Sequence, residues 1–278
     1  MIDNQSLFLF VPADRPDRYG GAAASGADAV IIDLEDAVAP GRKLSARAAL
    51  CEHLCTITAA TTPVYARINA IGTAWHEGDL AAVDGLLDDG KLAGIVLPKA
   101  ESAKDIASIR AALGAGTVVI ALVETAAGLA VVEDIARAAD RIAFGSIDFA
   151  ADIGCAHSRE ALLFARSRLV IAARIAGKPA PVDGVTGAIY QADEIESDAR
   201  HGASLGLKGK LLIHPAQIGP ARRGLAPTDA ELAWAERMLA SSGDGSAVSI
   251  NGQMVDAPVI ARARQIRNDH ERQFNRQT

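Results

Sequence analysis

This chain is short of the residues that staple small secreted proteins or hold structural metals. Its three cysteines, Cys51, Cys55 and Cys155, leave one unpaired and give no disulfide framework. No CxxC pair is present, and no histidine spacing suggests zinc. Cys51 and Cys55 lie four residues apart on a predicted helix, and we read the cysteines as small buried residues in a reducing compartment. Aromatics make up only 4% of a chain that is 50% apolar, so the core must come from alanine and branched aliphatics, as where helices pack closely on a sheet. Long apolar runs are missing too. MIDNQSLFLFVPADRP has no basic leading region, and its apolar stretch is too short for a signal or a membrane span. The expectation is a cytoplasmic protein with no membrane partner. Positive charge is not in excess either. A net charge of −6 argues against a nucleic-acid partner but leaves room for a local basic pocket. Neither a Ser–His–Asp arrangement nor a nucleophile elbow is present.

What the chain does have is repetition of one unit. Short apolar runs recur: 7–11, 29–34, 64–68, 94–98, 118–124, 141–145, a weak one at 179–184, and 211–215. Runs of this length without polar alternation fit buried parallel strands. Helical patterns separate them, such as ARSRLVIAARIAG at 165–177, which stops at a glycine. Strands alternating with helices predict βαβ units, and eight of them predict a (β/α)8 TIM barrel over residues 1–222. An open doubly wound sheet is the alternative, but FVPADRP offers no glycine-rich phosphate loop after the first strand. Residues 223–278 read as a C-terminal helical extension or lid. Thr228 and Glu231 form a capping-box pattern, and VSINGQMV reads as a hairpin with an Asn-Gly turn.

The chemistry-bearing residues cluster at the ends of these strands. Glu124 closes VVIALVE, and Asp148 follows RIAFG. In a barrel, carboxylates at neighbouring strand ends converge on the catalytic face. Two hard oxygen ligands with room for water suit Mg2+. Asp33, Glu35 and Asp36 crowd the DLED segment, where they either face a cation or sit at a helix N-terminus. Arg67, a charge inside an apolar strand, must be paired. It either neutralises the DLED acids or binds a substrate carboxylate through its fork. Lys99 ends the fourth strand as another cation on that face, and a Schiff-base role is open to it in principle. Arg15 and Arg18 follow the first strand and His214 the last; each is either a ligand contact or an ordinary surface or core residue. Trp75 and His76, after Asn69, are expected to border the pocket. Together these residues fit a metal-bound anionic substrate.

In this order, LFVPADRPDR, GADAVIIDLEDAVAPGRKLSARAAL, ARINAIGTAWHEGDL, GIVLPKAES, ALVETAAGL, FGSIDFAADIG and LGLKGKLLIHPAQI resemble the HpcH/HpaI aldolase and citrate lyase beta-subunit family, in its branch of CoA-ester lyases. The resemblance spans residues 7 to 218. It implies a TIM barrel with a C-terminal extension, assembled as a homo-oligomer, a trimer or a multiple of one. It implies Mg2+ on Glu124 and Asp148, with Glu35 and Asp36 around the metal and its waters. It gives Arg67 the substrate and the enolate, and it places Asp256, in NGQMVDAPVI, as a proton-transfer residue brought in by a neighbouring subunit. Many relatives carry a lysine where this chain has Gly20 and Gly21, which leaves Arg15 and Arg18 for the CoA phosphates. Lys99 and His214 complete the expected substrate contacts. The implied reaction is cleavage of citramalyl-CoA, malyl-CoA or citryl-CoA to acetyl-CoA and a 2-oxo acid. A malyl-CoA-type thioesterase, a citrate lyase beta subunit acting on a carrier-bound substrate, and a non-catalytic metal-binding scaffold are the rival readings.

Overall fold

Each apolar run forms a strand because both its faces are covered, the inner by the opposite barrel wall and the outer by helices. In a computed structural model, which describes residues 2–57, 62–240, 248–250 and 253–274, eight parallel strands pair in sequence order and close on themselves, β8 beside β1. The strands are β1 Leu7–Pro12, β2 Ala29–Asp33, β3 Val64–Arg67, β4 Gly94–Leu97, β5 Val119–Val123, β6 Arg141–Phe144, β7 Val182–Asp183 and β8 Gly209–Leu212. Around them run α1 Tyr19–Ala23, α2 Lys43–His53, α3 His76–Asp88, α4 Ala103–Leu113, α5 Ala126–Ala130, α6 Val132–Ala138, α7 Ser146–Ile153, α8 Leu163–Ile175, α9 Ala192–Leu205 and α10 Ile218–Leu225. The expected barrel is therefore present.

Two strands differ from the sequence reading. β7 is only two residues long because Pro179 and Pro181 lack the N–H groups a longer ladder needs. β8 starts and stops two to three residues earlier than expected, because a buried lysine, Lys210, lies inside it and masks its start. The cysteines also differ: Cys51 and Cys55 are exposed and Cys155 half-buried. On α2 the buried positions are Lys43, Ala46 and Leu50, so Cys51 falls off the packed face, and Cys55 lies beyond the helix, in the 3-10 turn Leu54–Ile57.

Strand alternation sorts side chains into two shells. Phe8, Ile31, Tyr65, Val96, Ile120, Leu122 and Leu211 point inward and fill the barrel. Their neighbours, among them Leu7, Leu9, Val30 and Ile95, point outward and meet the helices in a larger core. At the strands' N-terminal end, Arg141 donates to the carbonyls of Gln5 and Ala180, and the Tyr65 hydroxyl to the Gln5 side chain, so the floor is closed. At the other end the same alternation turns Asp33 and Arg67 into the mouth, where Glu124 joins them just past β5.

On β7 and β8 it turns Asp183 and Lys210 outward, beneath α8 and α9. There the helix–sheet layer holds ions instead of aliphatics. Arg166 of α8 donates to Asp183 at 2.9 Å, and Lys210 donates to Asp198 of α9 at 2.7 Å. Burial works against the Asp198 charge, but Lys210 and the Thr186 hydroxyl outweigh it and hold the carboxyl at about 2. A carboxyl held below its unfolded value stabilises the fold above about pH 4, and that stability is lost as the pH falls toward 2. Asp198→Asn should therefore cost about 2 kcal/mol at pH 7 and little at pH 2.5. Urea midpoints of both proteins across that range check this; a gap that does not narrow on acidification refutes it.

Beyond the barrel, α11 spans Asp229–Ala240 and α12 spans Ala257–Phe274, with the antiparallel pair β9 Val248–Ile250 and β10 Gln253–Val255 between them. The capping box forms: Glu231 accepts from the Thr228 N–H at 2.8 Å, and its own N–H donates to Thr228 Oγ1 at 3.2 Å. The expected Asn251-Gly252 turn and SSGDGS lie outside the described residues. Ala235, Met238, Val255 and Ala263 give this extension a small core of its own, and Lys208 ties it to the barrel through Asp269 at 2.7 Å. Residue 222, where the sequence reading ends the barrel, lies within α10, which packs on α9. Among the described residues no helix is long and apolar enough to cross a membrane.

Candidate active site

A cavity of about 290 Å³ opens at the C-terminal mouth, lined by Asp33, Asp36, Arg67, Glu124, Ser146 and Asp148 among others. Arg67 is its fixed cation. Asp33 grips the guanidinium through Nε and Nη2, at 2.7 and 2.6 Å, and the Phe10 ring lies 4.7 Å from its centre. Asp33 thus uses two of the five N–H groups, Nη1 lies 3.1 Å from Glu35, and the side chain borders the cavity. It also accepts from the backbone N–H groups of Glu35 and Ala37, which fixes the DLED turn. Lys43, unmarked by the sequence reading, braces that turn from beneath, donating to the carbonyls of Leu34 and Glu35 at 2.7 Å each.

Two buried acids, Glu35 and Glu124, are linked here through the exposed Lys99. Glu35 sits 3.1 Å from Arg67 Nη1 and accepts from Lys99 Nζ at 2.5 Å. Lys99 has φ +47°, a left-handed backbone uncommon outside glycine, and this turns its N–H onto Glu124 Oε1 at 2.8 Å. One residue thus steadies both carboxylates. Burial, then the Glu35 charge, push the Glu124 carboxyl up to about 8, against the pull of Lys99 and Arg67. Burial also raises Glu35, while Glu35 and Glu124 outweigh burial at Lys99 and hold its ammonium above the usual range. Glu124 Oε2 is buried and has no hydrogen-bond partner among the described residues. An anionic oxygen in that position calls for a cation or water.

Gly145 and Ser146 were missed by sequence reasoning, and the glycine after β6 was their only signal. A Cβ on Gly145 would collide with the Glu124 carboxylate. Gly184 likewise leaves room for Ser146, whose Oγ lies 2.9 Å from His157 Nε2. Gly145→Ala should displace Glu124 and weaken divalent-cation binding at least ten-fold while the barrel stays folded. Metal titration by calorimetry, beside circular dichroism, checks this, and an unchanged affinity removes the packing argument.

The remaining expected site residues lie apart. Arg15 pairs with Asp17 at 2.8 Å on the loop after β1, and Arg18 is exposed beside it. His214 accepts from the Ala216 N–H and stacks edge-on with Tyr190. Asp256 accepts from the Val259 N–H at 3.2 Å and so caps α12. None of these four lines the cavity of its own chain. Trp75 and His76 do not border it either. His76 is buried against the Asn69 carbonyl at 2.9 Å, and Trp75 packs under the Lys43 ammonium.

The donors that remain, Glu124 Oε2 and the Asp148 carboxylate, are hard oxygens on one cavity, and they fit a small divalent cation that keeps its waters. Among the described residues no three His, Cys, Asp or Glu side chains are grouped to hold an ion alone, so further ligands must be water or substrate.

Fold and mouth together define a (β/α)8 protein with an acidic, cation-ready site backed by a clamped arginine. The chain belongs to the HpcH/HpaI aldolase/citrate lyase family, whose model matches residues 6–215. It is 39% identical over 266 residues to a citrate lyase subunit beta-like protein of Mycobacterium tuberculosis, covering 92% of each chain. From Cereibacter sphaeroides, an L-malyl-CoA/beta-methylmalyl-CoA lyase is 32% identical, covering 92% of this chain and 91% of that one. A (3S)-malyl-CoA thioesterase of the same species is 33% identical, with the same coverage. The crystal structure of CitE from Mycobacterium tuberculosis in complex with magnesium, acetoacetate and coenzyme A matches with a TM-score of 0.82 at 35% identity, covering 96% of this chain and 98% of that one.

Proposed function

We propose that this protein is a Mg2+-dependent carbon–carbon lyase, cleaving a 3-hydroxy-3-carboxyacyl-CoA to acetyl-CoA and a 2-oxo acid. The observation that carries this reading is the meeting, on one cavity, of Glu124 with its unpartnered buried oxygen, Asp148, and the Asp33-clamped Arg67. The likeness to CitE, which binds magnesium and coenzyme A, supports it. Held by Glu124 and Asp148, Mg2+ would supply Lewis-acid polarisation of the substrate's carboxylate and adjacent oxygen.

In the reaction the bond between C2 and C3 breaks, the C3 hydroxyl passes its proton to water in the mouth, and the electron pair of the broken bond passes to the thioester as an enolate. Arg67 directs its free N–H groups at that developing charge, and its rigidity makes them pre-aligned donors. Glu35 and Asp36 orient water in the mouth. Asp256 then delivers a proton to C2, forming the methyl group of acetyl-CoA. Asp256 does not line the cavity of its own chain, and action from a second copy, within a trimer or a multiple of one, is the arrangement that fits this role. Arg15 and Arg18 take the CoA phosphates on the exposed rim, and Lys99 and His214 flank the acyl part. Residues 223–278 form the extension that carries Asp256, and the enzyme works in the cytoplasm.

Purified protein should be offered citramalyl-CoA, malyl-CoA and citryl-CoA, with Mg2+ and with chelator, while acetyl-CoA, the 2-oxo acid and free CoA are followed separately. Chelator-sensitive release of acetyl-CoA with one oxo acid is the expected result and names the substrate. A second reading, thioester hydrolysis, is favoured by the malyl-CoA thioesterase relative, which matches as well as the lyase. Free CoA with an intact hydroxy acid would establish it in place of cleavage.

A further inference from the structure

A second cavity, of about 250 Å³, lies outside the barrel wall, between the loop after α7 and the start of α9. None of its lining residues is shared with the mouth cavity. It is built on the buried ions of β7 and β8, and their pairing leaves a specific remainder. Asp198 accepts through Oδ2 from Thr186 Oγ1 at 2.6 Å and Lys210 Nζ at 2.7 Å, and its Oδ1 lies 3.7 Å from Arg159 Nε. Arg166, which lines the cavity with its side chain only 3% exposed, gives Nε to Asp183, but its Nη1 is buried and donates to nothing among the described residues. A buried guanidinium nitrogen left without an acceptor is costly. Across the cavity stands Arg159, half-exposed, with Nη2 on Ser197 at 3.0 Å.

Arg166 and Lys210 bring positive charge to this spot, set against Asp183 and Asp198. His157 and His201 are both held below their usual values, by burial first and then by the Arg166 charge. The Glu194 carboxylate stands at the rim, exposed to solvent, where its repulsion is screened.

We infer that this cleft is a binding site for a small anion, a carboxylate or a phosphate, bridged between Arg166 and Arg159. Such an anion supplies the acceptor that Arg166 Nη1 lacks and draws Arg159 inward. Planar and tetrahedral oxyanions both suit paired guanidinium groups. Through the His157–Ser146 contact the occupied cleft also touches the first turn of α7, which carries Asp148. The inference does not depend on the reaction proposed for the mouth.

Full-length protein, in chelator and at constant ionic strength, should be titrated by calorimetry with inorganic phosphate and separately with succinate. Saturable one-site binding is expected for one or both, weakened at least ten-fold in Arg159→Ala and unchanged in Lys99→Ala, which alters only the mouth. Binding of phosphate alone assigns the site to phosphate, and of succinate alone to carboxylates. Thermal midpoints should follow the same ligand. Absence of saturable binding to either probe would mean that water serves Arg166, and the inference falls. Affinity that survives Arg159→Ala would overturn it as well.

Discussion

Glu124→Gln is expected to abolish magnesium-dependent turnover and leave the barrel folded. The Gln side chain keeps the shape of Glu124, and its amide oxygen can still accept from the Lys99 N–H that now binds Oε1 at 2.8 Å. What disappears is the ability of Oε2, a buried oxygen with no hydrogen-bond partner among the described residues, to carry charge beside a second acid, Glu35. Without metal, burial and Glu35 already oppose that charge, so the thermal midpoint should be unchanged or higher. With magnesium, wild-type protein should gain stability in proportion to ligand saturation, and the variant should gain none. Turnover should drop by at least about 10³-fold, since a Lewis-acid contribution is worth several kcal/mol. Melting curves with and without magnesium, beside the acyl-CoA assay, separate the two effects. Wild-type activity in Glu124→Gln would sink the metal assignment, and a lowered metal-free midpoint would sink the argument that the acid is frustrated.

Arg67 carries the next largest effect, and here charge and geometry can be separated. Arg67→Lys keeps the positive charge against Asp33 and Glu35 but loses the planar fork that takes Asp33 at 2.7 and 2.6 Å. It should fold and should lose about 10²- to 10³-fold in kcat, the usual cost of one misplaced oxyanion donor. Arg67→Met leaves Asp33 buried without its counter-ion and Glu35 with Lys99 alone, both acids below one-tenth exposed, and should also cost about 3–5 kcal/mol of stability. Urea denaturation beside kcat on the best acyl-CoA substrate tests the pair. A lysine variant with full kcat would make Arg67 a structural counter-ion only.

Most of the barrel could be read from the strands because each lies between two apolar layers, so its sequence is a plain run of Val, Ile, Leu and Ala. The reading weakened where that environment changes. β7 is cut short by prolines, and β8 hides behind Lys210. The acids and cations at strand ends were equally legible, because a charge closing an apolar run has nowhere to go but the mouth. Whether Arg67 served the DLED acids or a ligand was open in the sequence; the geometry pairs it with Asp33 and Glu35 and also sets it on the cavity lining.

Other features had no sequence signature. The three cysteines look like core residues, yet α2 turns Cys51 off its buried face. Trp75 and His76 look like pocket residues but brace Lys43 and Asn69. Gly145 is one glycine among twenty-five until a Cβ is placed against Glu124. The sequence by itself determined the number and order of strands, the acidic and basic groups at their ends, and the capped start of the extension. Each of these follows from local patterning and covalent order. Only the tertiary structure decided which charges pair, which carboxylate oxygens are left without a hydrogen-bond partner among the described residues, and that Arg166 and Arg159 line one cleft outside the barrel wall. Those outcomes depend on which strand faces which, and on desolvation set by residues far apart in the chain.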